Sequence, residues 1–139
     1  MEKYGHEFVF ITDFSAKKRA FYHMRNEEGI LQGYDLIWRG TEITSGAQRE
    51  HRYEELLKNA NEKGLGEDVK FYLQFFKYGC PPHGGFALGL DRLTMLLTNT
   101  ENIRDVIAFP KNQNAQCLVS SAPSEVDASQ LEELGITTK

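Results

Sequence analysis

The chain has 139 residues, of which 40% are hydrophobic and 26% charged, with a formal net charge of −4. That length suits one domain, the apolar share can supply a core and argues against wholesale disorder, and the negative balance argues against non-specific nucleic-acid binding. With no apolar run long enough to span a membrane and no signal-peptide start, a soluble, cytoplasmic protein is expected.

In chain order, residues 8–12 (FVFIT) and 20–24 (AFYHM) read as two strands separated by a polar turn. The run Lys17-Lys18-Arg19 between them reads as a solvated turn. Arg39-Gly40 is a plausible hairpin turn joining two further strands. Residues 52–63 carry helical spacing, with Tyr53, Leu56, Leu57 and Ala60 on one face and Gly64 as a stop. Residues 67–77 form a second expected helix, acidic at its start and basic at its end, with Val69, Tyr72, Leu73 and Phe76 as a core stripe. A strand over 86–90 leads into a helix over 91–98 whose buried side is Leu93, Leu96 and Leu97. Residues 106–109 (VIAF) read as a last strand before Pro110, and the tail over 111–139 is less regular. The expected fold class is α+β, an antiparallel β-sheet backed by helices.

Two constellations carry chemistry. The first is Gly84-Gly85-Phe86-Ala87-Leu88-Gly89-Leu90-Asp91-Arg92, a strand passing through glycines into a helix with an arginine in its first turn. Glycines admit close backbone approach, a helix start offers free N–H groups to an anion, and arginine adds a planar cationic fork. A phosphate site and a tight packing corner both fit this pattern, which is neither a Walker A loop nor a dinucleotide fingerprint. The second places Asp35, Glu42 and Arg49 seven residues apart. An odd spacing would turn Asp35 and Glu42 to opposite faces of one strand, but a hairpin at Arg39-Gly40 brings Asp35 back near Glu42 and Thr44. Gly46 is expected to mark a bulge that re-aims Arg49 onto the same face. Two carboxylates meeting on a sheet make a seat for Mg²⁺; a solvated hairpin with scattered charges fits the spacing equally. Cys80 and Cys117 form no Cys-x-x-Cys motif and are expected to be reduced and structural. The four histidines lack zinc-like spacing, and His83 reads as a local hydrogen-bonding residue.

The segments GTEITSGAQR (40–49), KYGCPPHGG (77–85) and the glycine–arginine stretch 84–92 closely resemble aspartyl-tRNA synthetase, in the C-terminal part of its class II catalytic domain. The stretch 102–110 (NIRDVIAFP) is similar to the strand that closes that domain, and the tail looks like the bacterial form. The resemblance implies that residues 84–92 are motif 3. It implies that Glu42 and Arg92 are catalytic, that Arg49, Ser45 and Gln48 bind L-aspartate, and that Glu42, Gly89, Leu90, Asp91 and Arg92 bind ATP. Asp35, Glu42 and Ser45 would hold Mg²⁺. It also implies tRNA as a partner through a full-length enzyme and a homodimer or self-association. Motifs 1 and 2 and an anticodon-binding domain are not visible in the sequence. Two readings therefore stand: a catalytic portion of an aspartate–tRNA ligase, or a non-catalytic relative that keeps a binding remnant.

Overall fold

The computed structural model describes residues 5–137. Four strands, β1 (Phe8–Ile11), β2 (Gly33–Trp38), β3 (Thr41–Arg49) and β4 (His83–Leu88), form one antiparallel sheet in that order. Between β3 and β4 lie α1 (Tyr53–Glu62) and α2 (Lys70–Phe76), and β4 runs directly into α3 (Leu90–Leu97). A short α4 (Ala128–Glu133) stands in the tail, after a loop closed by a Lys111–Cys117 bridge. The α+β expectation is met. Among the described residues no helix is long and apolar enough to cross a membrane.

The hairpin turn forms where it was expected. Arg39 and Gly40 both take positive φ, 47° and 84°, the two-residue turn whose twist matches that of paired strands. Arg39 is held in that costly conformation by Glu7, which accepts from its guanidinium and from Trp38 Nε1. These donors hold the Glu7 carboxyl below its usual range.

The core lies where α1 meets α2. Leu56, Ala60 and Leu73 are fully enclosed, and Tyr53, Leu57, Val69, Tyr72 and Phe76 pack around them. These are the two apolar stripes legible in the sequence. Phe21 and Tyr22 join from the N-terminal segment, with Phe21 edge-on to Tyr72 at 6.0 Å between ring centres. Aromatic pairs of this geometry add about 0.5–1.5 kcal/mol beyond the area they bury.

Several expected elements differ. Residues 20–24 make no strand; His23 forms a single antiparallel bridge with Arg49, flanked by Met24 N–H to Gln48 O and Glu50 N–H to Tyr22 O, each 2.9 Å. β2 begins at Gly33, opposite Ala47, so this segment takes over beside the last residues of β3 and is too short to extend further. Residues 106–109 make no strand either. Residues Ile103–Val106 wind into a 3-10 turn capped by the Asn102 side chain. A strand exists only within a ladder, and that segment pairs with no strand among the described residues. The second helix begins at Lys70 rather than 67, leaving Glu67 and Asp68 in the turn before it. In α3, Leu93 and Leu96 are half-buried while Leu97 is 67% exposed. β4 starts three residues earlier than expected, because ladder hydrogen bonds need no side chains and run through Gly84 and Gly85.

Candidate functional site

Strand register builds the site. Asp35 of β2 lies directly opposite Ser45 of β3, and Ile37 lies opposite Glu42. Consecutive residues Leu36 and Ile37 pair with Thr44 and Glu42, so Ile43 is an extra residue on β3. This is a β-bulge, and it reverses the alternation of side chains on β3. Without it Glu42 would face away from Ser45 and Arg49. With it Asp35, Glu42, Ser45, Ala47 and Arg49 share one face, joined from β4 by His83, Gly85 and Ala87.

The bulge was expected at Gly46, and that expectation is corrected. Gly46 pairs regularly with Tyr34 and Phe86. Its reason for being glycine is space: a Cβ there would sit 2.7 Å from Tyr34 Cζ and 2.8 Å from Phe86 Cβ. Asp35 also meets Ser45 across the hairpin rather than Glu42 or Thr44. Gln48 falls on the opposite face, paired with Gly84, and the fold does not bring it to Arg49.

Asp35 is 6% exposed. Its Oδ2 accepts from Arg19 Nη2, whose Nη1 also reaches Ser45 Oγ at 3.5 Å, while Oδ1 is buried with no hydrogen-bond partner among the described residues. Arg49 lays its guanidinium over the Tyr22 ring, 4.7 Å from the ring centre, and makes no ion pair among the described residues. Its fork is therefore open to a planar anion. A cleft of about 500 Å³ opens beside it, lined by Tyr22, Arg49, Tyr72, His83 and Gly84 among others. Burial raises the Tyr72 hydroxyl above its usual range. His83 Nδ1 lies 3.0 Å from Pro81 O, the local contact expected of it.

α3 presents its start to the bulge. Gly89 N–H donates to Ile43 O at 2.8 Å, and Arg92 Nη1 donates to Glu42 O at 2.9 Å and Oε1 at 3.3 Å. Gly89, the N-cap, has no side chain with which to satisfy the first-turn amides of Leu90 and Asp91. A glycine approach, two first-turn amides without acceptors among the described residues and an arginine thus converge at the Glu42 end of the face.

Sequence reasoning missed Arg19, Tyr22 and His23. Lys17 and Lys18 are exposed as a solvated run predicts, but Arg19 turns inward. The one cue was that Arg19 adjoins the apolar stretch 20–22. His23 is buried between the site cations, and its pKa is lowered by burial first, then by Arg49 and Arg19, with Asp35 opposing.

Residues 1–113 match the family model of tRNA synthetases class II (D, K and N). The chain belongs to that family. It is 50% identical over 115 residues to the aspartate–tRNA(Asp) ligase of Pyrococcus furiosus, covering 81% of this chain and 26% of that protein. With the aspartate–tRNA(Asp/Asn) ligase of Thermus thermophilus it shares 46% identity over 114 residues, 81% of this chain and 27% of the relative. The aspartyl-tRNA synthetase from Entamoeba histolytica superposes with a TM-score of 0.75 at 40% identity, over 81% of this chain and 24% of that one. The chain thus spans about a quarter of the length of these class II synthetases, and its sheet, α1–α2 pair and α3 form part of a class II catalytic domain.

Proposed function

We propose that this chain is the C-terminal part of the catalytic domain of an aspartate–tRNA ligase, which activates L-aspartate with ATP and passes the aspartyl group to tRNA. The carrying observation is the bulge at Ile43, which sets Glu42 on the same face as Asp35, Ser45 and Arg49 while Arg92 anchors to Glu42. The names of the relatives support the substrate, and the family match supports the reaction class.

The residues fit distinct tasks. Arg49, braced on Tyr22 and without an ion-pair partner among the described residues, receives the side-chain carboxylate of aspartate as a bidentate partner; asparagine would leave one arm of the fork facing an amide N–H, a mismatch that rejects it. Arg92 and the first-turn amides of Leu90 and Asp91, beside the close backbone approach at Gly89, receive the outer phosphates of ATP. In the first step an α-carboxylate oxygen of aspartate attacks the α-phosphorus, and pyrophosphate leaves with the bond's electrons. In the second a ribose hydroxyl of tRNA attacks the activated carbonyl, losing its proton as AMP departs. Fixed cations and oriented amides lower the charge-separating barrier without a covalent protein intermediate.

The donor set also suits Mg²⁺. That ion favours one or two carboxylates together with substrate phosphates, and Asp35 offers a buried Oδ1 that has no partner among the described residues, while Glu42 on the same face adds a second carboxylate. Asp35, Glu42 and Ser45 would hold it, and when bound it would neutralise phosphate charge.

The test is aspartate-dependent ATP–pyrophosphate exchange in a chimera whose matching segment of the Pyrococcus furiosus ligase is replaced by residues 1–113. Exchange is expected with aspartate and not asparagine. Arg49→Ala should lower it on the order of 100-fold, since a desolvated charge partner contributes about 3 kcal/mol. Exchange that survives Arg49→Ala, or that prefers asparagine, overturns the reading.

A further inference from the structure

Arg19 has no part in the roles assigned above, yet it is tightly held on the site face. Its guanidinium stacks 3.7 Å above the Phe14 ring centre and donates to both Asp35 Oδ2 and Ser45 Oγ, the two residues that face each other across β2 and β3. Asp35 is thereby split. One oxygen is occupied by a cation; the other is buried and unpartnered among the described residues, a condition that costs about 1–3 kcal/mol until something fills it.

We infer that Arg19 is a positioning residue that restricts Asp35 to a single metal-facing oxygen and so favours Mg²⁺ over Ca²⁺. The inference rests on the metal seat of Asp35 and Glu42 read above. Mg²⁺ requires compact, near-octahedral coordination and keeps several waters, whereas Ca²⁺ takes more oxygens and accepts carboxylates in bidentate fashion. With Oδ2 held by the guanidinium, Asp35 has one oxygen to give, which suits the smaller ion. The planar fork matters because it engages Asp35 and Ser45 together, fixing the carboxylate plane; a lysine ammonium is a point charge and cannot do both as rigidly. Partners of metal ligands set ligand orientation in this way elsewhere, and their loss costs about 10–100-fold in affinity.

The experiment uses the 139-residue chain with Mn²⁺ as a paramagnetic probe. Substoichiometric Mn²⁺ should broaden the backbone amide signals of Asp35, Glu42 and Ser45 in NMR spectra, and Mg²⁺ or Ca²⁺ is then titrated to restore them. In the wild type Mg²⁺ should restore them at the lower concentration. Arg19→Gln should weaken Mg²⁺ about 10-fold and make Ca²⁺ the better competitor, while Arg19→Lys should recover part of the Mg²⁺ preference. Arg19→Met, whose unbranched thioether can pack beside the Phe14 ring in place of the guanidinium, replaces the glutamine variant if amide dispersion shows that one unfolded. An unchanged order of Mg²⁺ and Ca²⁺ in the variant overturns the inference and leaves the metal seat standing. Amide signals of the wild type that Mn²⁺ leaves sharp refute the seat and the inference together.

Discussion

Glu50→Gln is the most informative perturbation of the scaffold behind Arg49. Glu50 directly follows Arg49 at the end of β3 and is 2% exposed. Its Oε1 accepts from His51 N, Arg52 N and Arg52 Nε at 3.1, 3.0 and 2.9 Å, and its Oε2 accepts from Arg52 Nη2 at 2.8 Å. The carboxylate thus anchors the chain at the start of α1, where the N-cap Arg52 supplies no side-chain cap. Burial pushes the Glu50 carboxyl up, but the donors from Arg52 and His51 outweigh it and hold the pKa below the usual 4.5. Glutamine keeps the shape, loses the charge, and turns an N–H₂ toward an Arg52 donor. A charge-assisted bond contributes about 1.5–3 kcal/mol, and the Arg52 share is reduced because that side chain is half exposed. The expected loss is about 2 kcal/mol at pH 7, a drop of roughly 8 °C in Tm for a chain of this size. The sign with pH follows from a depressed folded pKa: the contribution is complete above about 4.5 and disappears as pH falls through the lower folded value. Urea unfolding of both proteins at pH 7 and at pH 3 measures it. The two stabilities should separate at pH 7 and converge in acid. Equal gaps at both pH values would refute the charge-based account.

Three other outcomes are expected. Gly46→Ala should cost about 1–3 kcal/mol by overpacking, because the new Cβ collides with Tyr34 and Phe86; an unchanged urea midpoint would show that β3 yields at no cost. His23 should titrate below the ordinary histidine value of 6.5 in an NMR pH series. Because its folded pKa is lowered, stability should fall as pH drops from about 6.5 toward that lower value, and a His23 titrating at 6.5 or above would contradict its burial against Arg49 and Arg19. Finally, β1 and β4 are edges left unpaired among the described residues and every residue of β4 is exposed, so the chain should self-associate as its concentration rises. Light scattering should detect this and Phe86→Lys should suppress it; a monomer at all concentrations would count against edge pairing.

The sequence by itself determined what depends on neighbours a few residues away. Helical spacing marked the stripes of α1 and α2 that form the core, and the Arg39-Gly40 turn was legible because two residues suffice to reverse a strand. The glycine strand leading to Arg92 and the segment from Glu42 to Arg49 carried the family in their order alone. Tertiary structure decided which of those residues meet. The bulge fell at Ile43 rather than Gly46 because register is chosen by pairing across β2 and β4, and crowding by Tyr34 and Phe86 explains the glycine instead. Residues 106–109 have strand composition but pair with no strand among the described residues, and residues 20–24 found room for only one bridge. Arg19 could not be told from Lys17 and Lys18 until Asp35, sixteen residues away, was placed beside it. Local periodicity is written in consecutive residues, whereas register, partner choice and the inward turn of a single cation are settled only by chain segments that meet in the folded state.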